Sequence, residues 1–187
     1  DTQCQVYKDP SKANQKIKTA IKKTAGKILT WNKKPINTVY HATNGGVMAS
    51  VDEAWSINQV PYLQMRLDGP KHWAGSVDLP LSNEKYLKSF LFSKSEAFGS
   101  DHPLFRWERT IESSQISKQL KKAQKVGSSF YPYKIEVLRR GSSGRVTSLK
   151  IEGKSGSKIL LKLDDIRRVL RELPSTLFVV KEIKEGK

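Results

Sequence analysis

The sequence predicts an α+β fold, built of antiparallel strands and hairpins with a few amphipathic helices. Three observations carry this expectation. Lysine-rich stretches hold apolar residues at helical spacing. Runs of β-branched and aromatic residues are broken by glycine or proline turns. The last third strings three such runs together at hairpin spacing.

The first helix is expected from Ser11 to about Ala25. Ala13, Ile17, Ala20, Ile21 and Thr24 recur at helical spacing, and Gly26 is a stop. Lys12, Lys16, Lys18, Lys22, Lys23 and Lys27 cover the rest, as a solvated face or as a contact surface for polyanion. Strands are expected at 27–31 and 36–40 around a hairpin loop, Asn32 to Pro35. A polar, glycine-ended turn follows from His41 to Gly46, then a short helical turn over 52–56 and an extended Pro61-Tyr62-Leu63. Residues 68–80 hold two Gly and two Pro and read as loop. Ser82-Asn83-Glu84 opens a helix carrying Tyr86, Leu87, Phe90 and Leu91. Residues 104–111 alternate like a strand. Ser113 to Val126 reads as a second basic helix with Ile116, Leu120 and Ala123 inward.

The final third reads as a meander. A strand over 133–140 places Ile135, Val137 and Arg139 on one face, and Gly141 to Gly144 turns the chain. Strands over 145–152 and 158–163 follow, then a short helix from Asp164 or Asp165 to Leu170 and a closing strand over 177–183. Two segments are expected: 1–67, a core segment with the His41 loop, and 68–187, helices and a β-meander forming the same domain or a protruding subdomain.

The 187 residues suffice for one domain or one domain plus an appendage. Lys and Arg number 34 against 18 Asp and Glu, a net charge of +16, which implies an anionic environment or partner without choosing among nucleic acid, membrane surface and acidic polymer. Four Trp, six Tyr and six Phe argue against disorder. A single cysteine, Cys4, excludes an internal disulfide and a multi-cysteine zinc site. No apolar run approaches the ~18 residues of a membrane-spanning helix. The chain opens on Asp1 with neither Met nor a basic and apolar leader, which reads as a mature or trimmed product.

His41, His72 and His102 are far apart, with no metal-binding spacing, so no metal and no cofactor is expected. Cys4 reads as a structural thiol, and no nucleophile elbow is present. Gly141 to Gly144 is hairpin chemistry. Asn44-Gly45-Gly46 follows His41 and Thr43 and reads equally as a tight turn or as a loop where backbone N–H groups and polar side chains meet a ligand. Asp52-Glu53 is the carboxylate pair nearest that loop, although glycoside cleavage needs two groups facing one bond and adjacent residues point apart. Asp164-Asp165 fits a helix N-terminus. No single-strand or duplex reading motif is found, so no nucleic acid partner is expected.

Several stretches resemble one family in order. They are Cys4-Gln5-Val6-Tyr7, Ala25 to Thr30, Lys34-Pro35-Ile36, Val39-Tyr40-His41-Ala42-Thr43-Asn44-Gly45-Gly46, Trp55, Pro61-Tyr62-Leu63, Arg139 to Val146, and Leu173 to Thr176. They resemble the stage II sporulation protein D family (SpoIID), which includes the amidase enhancer also called LytB. The resemblance covers nearly the whole chain, and tyrosine-histidine-x-threonine-x-glycine-glycine is its most specific part.

The resemblance implies an extracytoplasmic protein of the bacterial cell envelope, with peptidoglycan glycan strands as partner. It implies a lytic transglycosylase that cleaves between N-acetylmuramic acid and N-acetylglucosamine and leaves a 1,6-anhydro sugar, one glutamate acting as acid and then base. That glutamate precedes the cysteine-glutamine-valine-tyrosine stretch in the family and has no counterpart among these residues. A glycine-rich segment that follows in the family is likewise unmatched, so the chain is expected to be the central part of the domain and inactive alone. The alternative is a non-catalytic enhancer of an N-acetylmuramoyl-L-alanine amidase, or a wall-binding module. A membrane tether in the full-length protein is compatible with either. Zinc, which some members bind, is not carried over because Gln3 stands before Cys4 where they have histidine. For substrate binding the resemblance singles out Tyr40, His41, Thr43, Asn44, Gly45, Gly46 and Tyr7. His41 and Thr43 would hydrogen-bond sugar or orient the acid, and the tyrosines would stack on a pyranose or belong to the core.

Overall fold

A computed structural model describes residues 9–55 and 57–182. It is α+β, as the sequence predicts. The chain divides into two compact units, residues 1–42 and 43–187.

In the first unit a 3-10 turn over Pro10–Lys12 precedes α1 (Gln15–Thr24). The expected single helix from Ser11 is split because the Asn14 side chain caps the later start, accepting the Ile17 N–H at 3.0 Å. Strands β1 (Thr30–Trp31) and β2 (Lys34–Pro35) form a hairpin two residues long on each side. Its turn residues, Asn32 and Lys33, sit at φ 49° and 62°, the left-handed pair that suits the strand twist. The sequence predicts a longer hairpin, with strands over 27–31 and 36–40 and a four-residue loop from Asn32 to Pro35. It tightens onto Asn32 because asparagine tolerates positive φ, and 36–40 then carries no strand. No described residue of this unit is buried, and eight lysines lie between positions 12 and 34.

The second unit contains two apolar clusters. The first lies where the antiparallel meander β5 (Pro132–Arg140), β6 (Val146–Gly153) and β7 (Lys158–Lys162) meets α5 (Ser113–Lys122) and α6 (Asp165–Val169). Alternation along β6 buries Val146, Leu149 and Ile151, whose register partners include Val137, Leu161 and Ile159. Ile116 and Leu120 of α5 and Ile166 of α6 close the cluster. On the other face Lys150 Nζ pairs with Glu136 Oε2 at 2.7 Å and Glu152 Oε1 at 2.9 Å. A register shift between Val137 and Arg139 changes which side chain faces in: Arg140, not Arg139, is half-buried. Its Nη1 donates to the Gly144 and Phe178 carbonyls at 3.0 and 2.8 Å.

The second cluster gathers Val47, Trp73, Leu81, Leu87, Phe90, Ala97, Phe105 and Leu177. Around it lie the short pair β3 (Val47–Met48) and β4 (Arg66–Leu67), α2 (Val51–Ala54), α3 (Lys71–Gly75) and α4 (Glu84–Phe92). Asn83 Oδ1 caps α4 by accepting the Lys85 and Tyr86 N–H groups. Four expectations fail here. The 68–80 stretch contains α3, started after Pro70 and held by buried Trp73. Residues 104–111 form no strand, and neither do the described residues beyond 177. Phe105 and Leu177 pack into the cluster by their side chains, and beside the second segment the Thr176 carbonyl accepts one hydrogen bond from the Val146 N–H of β6 at 2.8 Å. Pro61-Tyr62-Leu63 is a turn rather than extended, closed by Leu63 N–H on the Val60 carbonyl at 3.2 Å. Among the described residues no helix is long and apolar enough to cross a membrane.

Ile151→Ala should lower the unfolding free energy by about 2–5 kcal/mol, because the residue is fully buried at the centre of the meander. Leu160→Ala, on the open face of β7 at 48% exposure, should change it by no more than about 0.5 kcal/mol. Urea unfolding of both variants checks the pair.

Candidate functional site

The predicted residues fall into different settings. Tyr7 and Cys4 lie outside the described residues. Tyr40 and His41 are exposed and belong to the first unit, Tyr40 at 43% exposure. Thr43 is half-buried, while Asn44, Gly45 and Gly46 are buried in the second unit.

The Asn44 loop is a closed turn. Asn44 Oδ1 accepts the Gly46 N–H at 2.8 Å, and Asn44 Nδ2 donates to Asp68 Oδ2 at 2.6 Å. Thr43 Oγ1 accepts the Gly45 N–H at 3.3 Å, and the Gly46 carbonyl accepts the Asp68 N–H at 2.9 Å. Gly46 has φ +91°, and a Cβ there would stand 2.9 Å from that of Ala97. The N–H groups and the amide that could have met a sugar are therefore engaged inside the protein.

Two arginines fasten the loop's carbonyls. Arg145 Nη2 donates to the Asn44 carbonyl and Nη1 to the Val47 carbonyl, both at 3.0 Å. Arg106 Nη1 donates to the Gly45 carbonyl at 2.9 Å. The same guanidinium donates through Nε and Nη2 to the Leu91 and Phe90 carbonyls at 3.0 Å, satisfying the open end of α4. It also lies 4.2 Å from the Phe105 ring centroid and 5.1 Å from that of Phe90. Burial lowers both guanidinium pKa values to about 10, with the charge of Glu53 opposing the shift at Arg145.

Glu53 and Asp52 point apart. Glu53 is buried, although capping or solvation is the ordinary expectation for a carboxylate at the start of a helix. Its carboxylate accepts from the Ser142 hydroxyl at 2.7 Å, from the Ser143 N–H at 3.2 Å and from the Ser143 hydroxyl. The Gly141–Gly144 hairpin turn is thus also a cradle for a carboxylate, and a Cβ on Gly141 would overlap the Glu53 side chain. Asp52 accepts from Gln59 Nε2 at 3.0 Å. Desolvation raises the Asp52 pKa, but hydrogen bonds from Ser50 and Gln59 outweigh it and hold the group below its ordinary value.

The arrangement is a buried polar brace. It joins residues 44–47, 53 and 68 to the β5–β6 turn nearly a hundred residues later. Its acceptors and donors are paired, so it does not present two carboxylates across an open groove. Among the described residues no cluster of His, Cys, Asp and Glu could hold a metal ion. No local pattern marks Asp68 as part of the brace, and a single feature marks Arg106. An arginine between two aromatics, in Phe105-Arg106-Trp107, is the one local hint that its guanidinium is stacked and enclosed.

The second unit is an α+β domain held by a buried polar brace. The chain belongs to the family described as domain of unknown function DUF8618, whose profile matches residues 49–187. No curated protein and no solved structure matches the chain.

Glu53→Ala should cost about 3–5 kcal/mol, because it strands the serine donors and removes the charge opposite Arg145. Gly46→Ala should cost more than Gly99→Ala. Both glycines have positive φ, which alone costs about 1–2 kcal/mol for an alanine, but only Gly46 also meets a neighbour's Cβ. Thermal and urea unfolding measure all three.

Proposed function

We propose that the chain is a peptidoglycan-acting domain of the stage II sporulation protein D type, working in the bacterial envelope, that holds glycan strands without cleaving them. One observation carries the reading. Two blocks that resemble the family, Val39 to Gly46 and Arg139 to Val146, are bound to each other where the guanidinium of Arg145 holds the Asn44 carbonyl at 3.0 Å. Blocks about a hundred residues apart that interlock physically behave as one inherited core rather than as scattered coincidence. The net charge of +16 suits an anionic wall.

The chemistry follows from what is left accessible. With Asn44, Gly45 and Gly46 engaged internally, they shape the loop, and glycan contact falls to exposed Tyr40 and His41 of the first unit. Tyrosine offers a flat apolar face to a pyranose, and histidine offers hydrogen bonds to its hydroxyls. Glu53 is occupied by Ser142 and Ser143, so it is poorly placed to give a proton to a glycosidic oxygen.

The protein should co-sediment with purified sacculi and with stem-peptide-stripped glycan strands at ~150 mM salt. Mass spectrometry of the strands should show no 1,6-anhydro-muramic product. His41→Ala should weaken co-sedimentation several-fold, about 1 kcal/mol for one lost hydrogen bond, with the unfolding midpoint unchanged. Absence of binding overturns the reading. Anhydro product overturns its non-cleaving part.

A further inference from the structure

The region where the chain leaves α5 and passes through α6 carries a second feature that goes beyond the glycan reading and does not rest on it. A cleft of about 640 Å³ opens between the chain following α5 and the region of α6, lined by Lys125, Asp165, Arg167, Arg168 and Arg171 over apolar residues that include buried Val169. Its volume falls within the ~300–1,000 Å³ of sites that take small molecules. None of the residues singled out for glycan lies in it.

Four cations face one carboxylate. Lys125 Nζ lies 3.3 Å from Asp165 Oδ2, and Arg168 Nη1 lies 3.9 Å from Asp165 Oδ1, so that single carboxylate is shared between two of them. Arg167 and Arg171 appear in no ion pair among the described residues. Both are exposed. Like charges gathered around a concave wall repel one another and focus a positive potential into it, and an entering anion relieves that cost. Guanidinium groups present a planar fork of donors that matches phosphate oxygens, while the apolar floor accepts an organic body attached to the phosphate.

We propose that this cleft binds a phosphate ester, with Arg167 and Arg171 as the principal oxyanion ligands, Lys125 and Arg168 completing the charge, and Asp165 as an internal competitor that keeps those two cations in place when the cleft is empty. The phosphate can belong to a soluble ester or to a lipid headgroup, and the test has an arm for each. Calorimetry with glycerol 1-phosphate reads the first. Flotation with phosphatidylglycerol vesicles, against phosphatidylcholine vesicles, reads the second. Saturable binding of the wild-type protein is expected in one arm, and the double variant Arg167→Ala/Arg171→Ala should weaken it at least about tenfold, each lost charged hydrogen bond being a substantial contribution. Asp165→Asn should strengthen binding about two- to threefold by removing the competing charge, a change of sign that mere loss of fold would not produce. Circular dichroism and the unfolding midpoint of the double variant should match wild type, since both substituted arginines are exposed. Absence of saturable binding in both arms, or equal binding by the double variant, overturns the proposal.

Discussion

The second unit depends on one buried cation. Arg145 has left water, which costs several kcal/mol for a charge that finds no partners. Its partners come from a segment about a hundred residues earlier: the Asn44 and Val47 carbonyls directly, and Glu53 through its field. Glu53 in turn needs donors, and the serines of the turn just before Arg145 supply them. The two ends of the unit thus solve each other's desolvation problem. This explains residue choices that would otherwise look arbitrary. Gly141 has no side chain because the Glu53 carboxyl occupies the space, and Gly144 at φ +79° brings its backbone against Leu81, Leu87 and Leu177.

Arg106 repeats the strategy with different means. Among the described residues it has no carboxylate partner, and it relies on carbonyls at Gly45, Phe90, Phe105 and Leu91, with the ring faces of Phe90 and Phe105 around its guanidinium. The Asn44–Gly46 loop is therefore held from two sides, by Arg145 at Asn44 and Arg106 at Gly45. A loop so held has little freedom to close over a ligand. Whatever it contributes to recognition, it contributes as a fixed shape.

Local pattern was legible where local physics decides. The cap at Asn83 and the apolar spacing at Leu87 and Phe90 identify α4, and the β5–β7 meander is written in its alternation and glycine turns. What escaped was decided at long range. Alternation over 104–111 suggests a strand, but Arg106 is committed to the carbonyls of α4 and no strand lies alongside. The one-turn α3 hides among glycines and prolines because Trp73, packed tilted on Phe90 at 6.2 Å, holds it rather than propensity. Asn44-Gly45-Gly46 left turn and ligand loop equally open. The choice rests on partners at Asp68, Arg106 and Arg145, which no short window contains.

This internal commitment constrains how any glycan would be recognised. A site built from buried, prealigned donors discriminates strongly, because a ligand lacking the matching hydroxyl strands them. Here the buried donors already have partners, so discrimination of that kind is absent from the Asn44 loop. Recognition through exposed Tyr40 and His41 instead draws on stacking and solvent-competing hydrogen bonds, each modest. Affinity for a long polymer then grows from repeated weak contacts and from the excess of lysine and arginine, which act along the strand rather than at one sugar. Binding of that kind would fall with salt, because its long-range part is electrostatic.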